Sequence, residues 1–256
     1  MELLRSRILG EGQPVIILHG FLGMSDNWKS IGSRYAENGH QVHLVDQRNH
    51  GRSFWSKEFN YSLLADDLER YLDEHVKGEV IILGHSMGGK TAMQFACTRP
   101  ERVEKLLLAD IAPKYYPPHH QQIIGGLNAV PRDTIESRVQ ADEVLAEHIT
   151  DMGIRQFLLK NLYWVDRNRL DFRFNLDVLQ FASETVGTAL DPDALFDKPT
   201  LFLKGELSDY IIEEDLELIN SHFPLARLVI IQRAGHWLHS ENPDQFVTES
   251  LEFMNS

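Results

Sequence analysis

The hexapeptide Gly84-His85-Ser86-Met87-Gly88-Gly89 constrains this chain more than any other stretch, because of what flanks it. The apolar run 80–83 precedes it and a helical pattern over 87–98 follows, so G-x-S-x-G falls on a strand-to-helix turn. A serine at so sharp a turn is held in a strained backbone conformation with its hydroxyl pushed clear of the chain. Glycines flank it because a Cβ there meets the neighbouring strand and helix, and Gly89 allows still closer packing. The helix N-terminus beneath the serine offers unpaired N–H groups and the positive end of a dipole, both of which favour developing negative charge. The same five-residue pattern also occurs in purely structural turns. The strand before it and the helix after it favour Ser86 as a nucleophile.

The rest of the chain repeats the strand-then-helix theme and then departs from it. Strands are expected at 3–9, 15–18, 42–45, 80–83 and 103–109, the inner ones without polar alternation, as in sheets covered on both faces. Helices are expected at 27–37, ended by Gly39, and from Ser62 as N-cap to about residue 76, with Leu64, Leu68 and Leu72 on one face. Residues 111–192 show no convincing strand. They carry helical stretches at 134–150, 155–163 and 175–183, and aromatics that include Trp164 and Phe181. Alternation returns with strands at 200–204 and 227–232 and helices near 213–222 and 243–254. The expectation is an α/β fold with a mainly parallel central sheet flanked by helices. Its core would comprise 1–110 and 193–256, with 111–192 inserted between two late strands as a helical cap. Open parallel sheets bind ligands at their carboxyl edge, where such a cap would sit.

Composition narrows the partners. With 25 Lys+Arg against 38 Asp+Glu the formal net charge is −13, which argues against nucleic acid or an anionic membrane surface. Apolar runs are far shorter than the roughly 20 residues of a membrane-spanning helix. The N-terminal residues do not read as a signal peptide, and Cys97 is the only cysteine, which fits a reducing compartment. The expectation is a cytoplasmic protein, monomer or homodimer, acting on a small molecule.

A serine hydroxyl needs a general base, which in this motif's setting lies downstream. His236 in Ala234-Gly235-His236-Trp237 follows the last expected strand and opens at the same sheet edge as Ser86. His239, three residues on, would make a His-x-x-His metal pair, but no third or fourth ligand lies near in sequence. The oxyanion hole needs two backbone donors. Met87 N–H is one; Phe21 N–H, in His19-Gly20-Phe21-Leu22-Gly23 after the first inner strand, is the other. His19 is read as a brace for that loop. Phe21, His85, Trp164 and Trp237 are the candidate substrate-lining residues. Packing within the cap is the competing role for the cap's aromatics. Arg48, His50 and Lys90 would meet an anionic part of a substrate or serve the structure.

The acid that orients His236 has two sources. Asp110 ends the 103–109 strand among apolar residues, where an acid is costly without a partner. Asp209 lies in Gly205-Glu206-Leu207-Ser208-Asp209, one residue beyond the usual Gly-x-x-Asp register, which falls on Ser208. Asp110 is preferred, with Ser208 as a hydrogen-bonding auxiliary and Asp209 as the alternative.

Taken together, these residues resemble the α/β-hydrolase superfamily, and more closely its small bacterial YbfF-type serine esterases. The resemblance covers essentially the whole chain. It rests on the His19–Gly23 and Gly84–Lys90 stretches, on Asp46-Gln47-Arg48-Asn49-His50-Gly51-Arg52-Ser53, on Ala109-Asp110-Ile111-Ala112-Pro113, and on Ala234–Trp237. In that group the acid follows the sixth strand and a serine takes the commoner acid position, an arrangement that Asp110 and Ser208 match. Asp209 beside Ser208 is a departure that keeps the acid open. The resemblance implies hydrolysis of acyl esters or thioesters with no metal or organic cofactor. Related activities of the fold, such as C–C bond hydrolase, peptidase or perhydrolase, are the alternatives, as is a non-catalytic ligand-binding relative. Haloalkane dehalogenases are disfavoured because they need Asp where Ser86 stands.

Overall fold

The apolar run Val15-Ile16-Ile17-Leu18 explains the central sheet. Val15 and Ile17 belong to one buried cluster and Ile16 and Leu18 to another, so the strand is covered on both faces. The computed structural model describes residues 2–167 and 169–256. Its sheet contains β1 (Arg5–Leu9), β2 (Gln13–Leu18), β3 (His40–Asp46), β4 (Val80–His85), β5 (Val103–Ala109), β8 (Thr200–Gly205) and β9 (Ala226–Ile231). The spatial order is β1-β3-β2-β4-β5-β8-β9; β1 pairs antiparallel with β3 and all other pairs are parallel. The chain runs outward from β2 to β3, then returns to place β4 on the other side of β2. That reversal opens a crevice at the carboxyl ends of β2 and β4, the usual ligand site of such sheets.

One face of the sheet is covered by α1 (Lys29–Glu37) and α11 (Pro243–Met254), through Ile31, Tyr35, Phe246 and Phe253. The other is covered by α2 (Tyr61–His75), α3 (Met87–Thr98) and α9 (Asp215–His222), through Leu68, Tyr71, Phe95, Ile219 and Phe223. A short α10 (Leu238–Glu241) precedes α11. Each such side chain taken fully from water contributes about 1.5–3 kcal/mol. Helix α2 is capped by Asn60, whose side chain accepts from Leu63 N–H at 2.9 Å, rather than by Ser62. The earlier start buries Tyr61, whose hydroxyl donates to the Val186 carbonyl at 2.8 Å. The first helical stretch is divided into a 3-10 turn at Ser25–Trp28 followed by α1.

Between β5 and β8 lie α4 (Gln121–Ala129), α5 (Arg138–Ala146), α6 (Met152–Leu159), α7 (Leu176–Leu179) and α8 (Ser183–Gly187). They are joined by an antiparallel hairpin of β6 (Leu162–Asp166) and β7 (Arg169–Phe172) that was not expected in a helical segment. Helix α6 stops because Asn161 turns inward and donates Nδ2–H to the Leu22 carbonyl at 2.9 Å. The aromatic and β-branched residues that follow then extend as a strand. The apolar cluster of this cap takes in Phe21, Leu22 and Met87 from the core loops. Further ties run from Asn175 N–H to the Asn49 carbonyl (2.8 Å) and from Lys90 Nζ to the Thr188 carbonyl (2.9 Å). No helix among the described residues is long and apolar enough to cross a membrane.

Candidate active site

Five consecutive strand ends supply the site. The ladder pairs Leu18 with Gly84, His85 with Ala109, Ala109 with Leu203 and Gly205 with Ile231. The loops after β2, β4, β5, β8 and β9 therefore emerge side by side, carrying Phe21, Ser86, Asp110, Ser208 and His236.

Ser86 has φ 53° and ψ −118°, a left-handed conformation that costs a non-glycine residue about 1–3 kcal/mol. It is held there by its N–H on the Ala109 carbonyl (3.1 Å) and by Lys90 N–H on its own carbonyl (3.1 Å). Any Cβ at Gly88 would collide with the backbone at Leu18 and His19, so α3 presses directly onto the end of β2. Met87 opens α3, where first-turn N–H groups have no intrahelical acceptor.

The loop after β2 is braced by two buried histidines. His19 donates Nδ1–H to the Gly20 carbonyl (2.9 Å) and accepts Gln47 N–H at Nε2 (3.1 Å). His50 donates Nδ1–H to the Arg48 carbonyl (2.9 Å) and accepts Leu22 N–H at Nε2 (3.2 Å). Gly23 N–H is engaged by the Gly20 carbonyl at 3.0 Å, whereas Phe21 N–H has no acceptor among the described residues. A Cβ at Gly20 would stand 2.9 Å from His85 Nδ1 and 3.4 Å from Ser86 Cβ, so this turn lies against the serine.

Asp110 is fully buried and accepts three hydrogen bonds. Oδ1 takes Gly205 N–H (3.0 Å); Oδ2 takes the Ser208 hydroxyl and His236 Nδ1–H (2.8 Å). With Nδ1 donating, His236 keeps Nε2 free as a base. Asp209 is exposed and stands outside this cluster. Ser208 reaches His236 through the shared carboxylate. Among the described residues no hydrogen bond joins Ser86 to His236, a contact that often tightens only with substrate bound. Both line one cavity of about 600 Å³, with Phe21, His85, Phe157 and Trp237.

The remaining lining is mixed: aliphatic residues such as Leu22 and Ile154, the charged Asp151, Lys160 and Glu241, and several histidines. His85 donates Nε2–H to the His236 carbonyl (2.8 Å), and burial holds its pKa well below the usual histidine value. His239 stacks on Trp28 with centroids 4.0 Å apart, and burial lowers it to about 3. Among the described residues no group of three or more His, Cys, Asp or Glu is arranged to hold a metal. His120 and Tyr210 also line the cavity and were not singled out from the sequence. Nothing in the local pattern around either marks it, since both are brought in by loops.

Several expected contacts fall elsewhere. Trp164 is 55% exposed on β6 and lines a separate groove with Arg138 and Arg173, because the strand leaves the core after Leu162. Phe181 is 80% exposed. Arg48 is buried against Asp67, His50 braces the β2 loop, and Lys90 Nζ donates to the Lys114 and Thr188 carbonyls. None of the three lines the cavity.

Residues 13–132 match the family model described as alpha/beta hydrolase fold. The chain is similar to Esterase YbfF of Escherichia coli, 36% identical over 245 residues that span 94% of this chain and 93% of that protein. It is similar to the sn-1-specific diacylglycerol lipase ABHD11 of Mus musculus, 35% identical over 94% of this chain and 80% of that one. Among solved structures, a marine microorganism esterase superposes with a TM-score of 0.95 at 39% identity, covering 99% of this chain and all (100%) of the other.

Proposed function

This chain belongs to the α/β-hydrolase fold family, and we propose that it is a serine carboxylesterase acting on small acyl esters, with thioesters accepted by the same chemistry. The observation that carries the reading is the 2.8 Å hydrogen bond from His236 to the fully buried Asp110, beside a cavity that Ser86 also lines. Ser86 Oγ attacks the ester carbonyl while His236 Nε2 takes its proton. The N–H groups of Phe21 and Met87 receive the oxyanion. His236 then protonates the departing alcohol, and water, deprotonated by the same imidazole, releases the acid from Ser86. Asp110 holds the imidazole in the tautomer this requires, and Ser208 helps to hold Asp110. Phe21, Phe157 and Trp237 offer the acyl or alkyl portion an apolar wall.

In this reading residues 1–110 and 193–256 form the catalytic core and 111–192 a cap that shapes the cavity. The protein works in the cytoplasm, as monomer or homodimer; Cys97 as its single thiol suits a reducing compartment.

Purified protein is tested with a fluorophosphonate probe and p-nitrophenyl esters of graded acyl length, with a diacylglycerol, the substrate in the mouse relative's name, as a further arm. Wild type takes the label, and Ser86→Ala loses both label and turnover by roughly 10⁴-fold or more. Near-normal turnover by Ser86→Ala ends the proposal.

A further inference from the structure

Tyr210 lies flat on the His236 imidazole, with ring centroids 3.8 Å apart and planes 16° from parallel. Every polar group of this tyrosine is engaged. Its N–H donates to Ser208 Oγ (3.2 Å) and its carbonyl accepts the Tyr116 hydroxyl (2.6 Å). Its own hydroxyl donates to His119 Nε2 (2.6 Å), because His119 Nδ1–H is committed to the Pro117 carbonyl (2.9 Å). Tyr210 is thus anchored through Ser208 to the carboxylate that holds His236. Through Tyr116 and His119 it is anchored to the segment that leads into α4 of the cap.

Such an arrangement has an electrostatic consequence. The face of a phenol ring is the negative end of its quadrupole, so a cation laid on it is attracted. Attack by Ser86 turns His236 into that cation. A phenol that donates its proton to a neutral imidazole carries more electron density on its ring, which strengthens the attraction. The flat contact also resists rotation of the imidazole away from Asp110. We propose that Tyr210 is a positioning residue for His236, holding the imidazole in plane and stabilising the imidazolium formed during attack, with His119 reinforcing it through the phenol hydroxyl. The proposal rests on the serine esterase reading above.

His119, Asp151, Lys160 and Glu241 line the same cavity as His236, and Glu241 accepts Gly235 N–H at 2.6 Å. Asp110 binds Nδ1, and His85 stands 4.8 Å away between ring centroids. His120 and His239 line the same cavity; burial lowers both to about 3 and lowers His85 too, so all three stay neutral at ordinary pH. The phenol itself is pushed up to about 12 by burial and the nearby Asp110, and remains a donor. Of the groups that touch the imidazole ring, Asp110 and the face of Tyr210 are the ones that attract the imidazolium.

Two measurements test this: the pH profile of kcat/KM on a neutral p-nitrophenyl ester, and an NMR titration of the His236 imidazole in a Ser86→Ala background. Tyr210→Leu removes the π face and is expected to move the acid limb, and the imidazole titration, down by about 0.5–1 pH unit. Its plateau falls about 3–30-fold with KM changed by less than about twofold. Tyr210→Phe and His119→Phe each give a smaller shift in the same direction, and combining them adds nothing, because both remove one hydrogen bond. If the limb and titration of these variants superimpose on wild type, the proposal is overturned, whatever the plateau does. Should Tyr210→Leu fail to fold, the Phe variants decide. The NMR titration decides even if wild type hydrolyses no ester, so failure of the esterase reading and failure of this one are told apart.

Discussion

Asp110 and Asp209 follow adjacent strands, and burial separates them. Asp110 gives up hydration and receives a backbone N–H, a hydroxyl and an imidazole N–H in return, the condition under which a buried carboxylate is tolerated. Asp209 is exposed and gives up none of its hydration in this way. Replacing Asp110 by Asn offers His236 Nδ1 a donor instead of an acceptor and inverts the tautomer. Turnover is expected to fall by about 10⁴-fold, measured as kcat on a saturating p-nitrophenyl ester. Asp209→Asn should leave kcat within about twofold. The apolar surroundings of Asp110 and the one-residue offset of Asp209 from the Gly-x-x-Asp register were readable in the sequence; the exposure of Asp209 was not, because it depends on how the loop after β8 packs.

At the scale of elements, α3 and the cap show two ways of fixing a loop at the cavity. Helix α3 does it by contact. Gly88 touches the backbone at the end of β2, so Gly88→Ala pushes the helix outward with the Ser86 turn. The expected result is a loss of about 1–3 kcal/mol or failure to fold, read by urea denaturation. The cap does it by a hydrogen bond from Asn161 to the Leu22 carbonyl, one residue after Phe21. Asn161→Ala leaves that buried carbonyl short of a partner; a loss of about 1–3 kcal/mol is expected, together with a lower kcat/KM at nearly unchanged solubility. The glycine was legible because its motif carries the reason for it. Asn161 was not, since residues 155–163 have an apolar spacing that a helix satisfies equally well. A tertiary bond ends the helix there, and the β6–β7 hairpin takes over.

For the molecule as a whole, the buried histidines set the response to acid. Burial lowers His43 to about 4 and His50, His120 and His239 to about 3, against an unfolded value near 6.5. Between those limits the unfolded chain binds protons that the folded chain refuses. Stability is therefore fully retained above about pH 6.5 and is withdrawn as pH falls toward 3–4, by up to about 1.4 kcal/mol per pH unit for each histidine. Urea midpoints should drop steadily from pH 7 to pH 5 with a slope reporting uptake of more than one proton. His239→Phe, which keeps a ring on Trp28, should flatten that slope. A slope unchanged by this substitution would show that His239 does not contribute.

Turn chemistry and apolar periodicity are local, and they were enough to set the strand-to-helix turn at Ser86, the doubly covered strands, and the place of His236 after the last of them. Convergence is not local. Whether Phe21, Ser86, Asp110, Ser208 and His236 meet depends on strand order and register across β2, β4, β5, β8 and β9, and so does the laying of Tyr210 on the imidazole. The cap's hairpin, the exposure of Trp164 and the burial of Arg48, His50 and Lys90 were likewise decided by packing. Side chains of one type can face a cavity, a carbonyl or water, and only neighbours distant along the chain determine which.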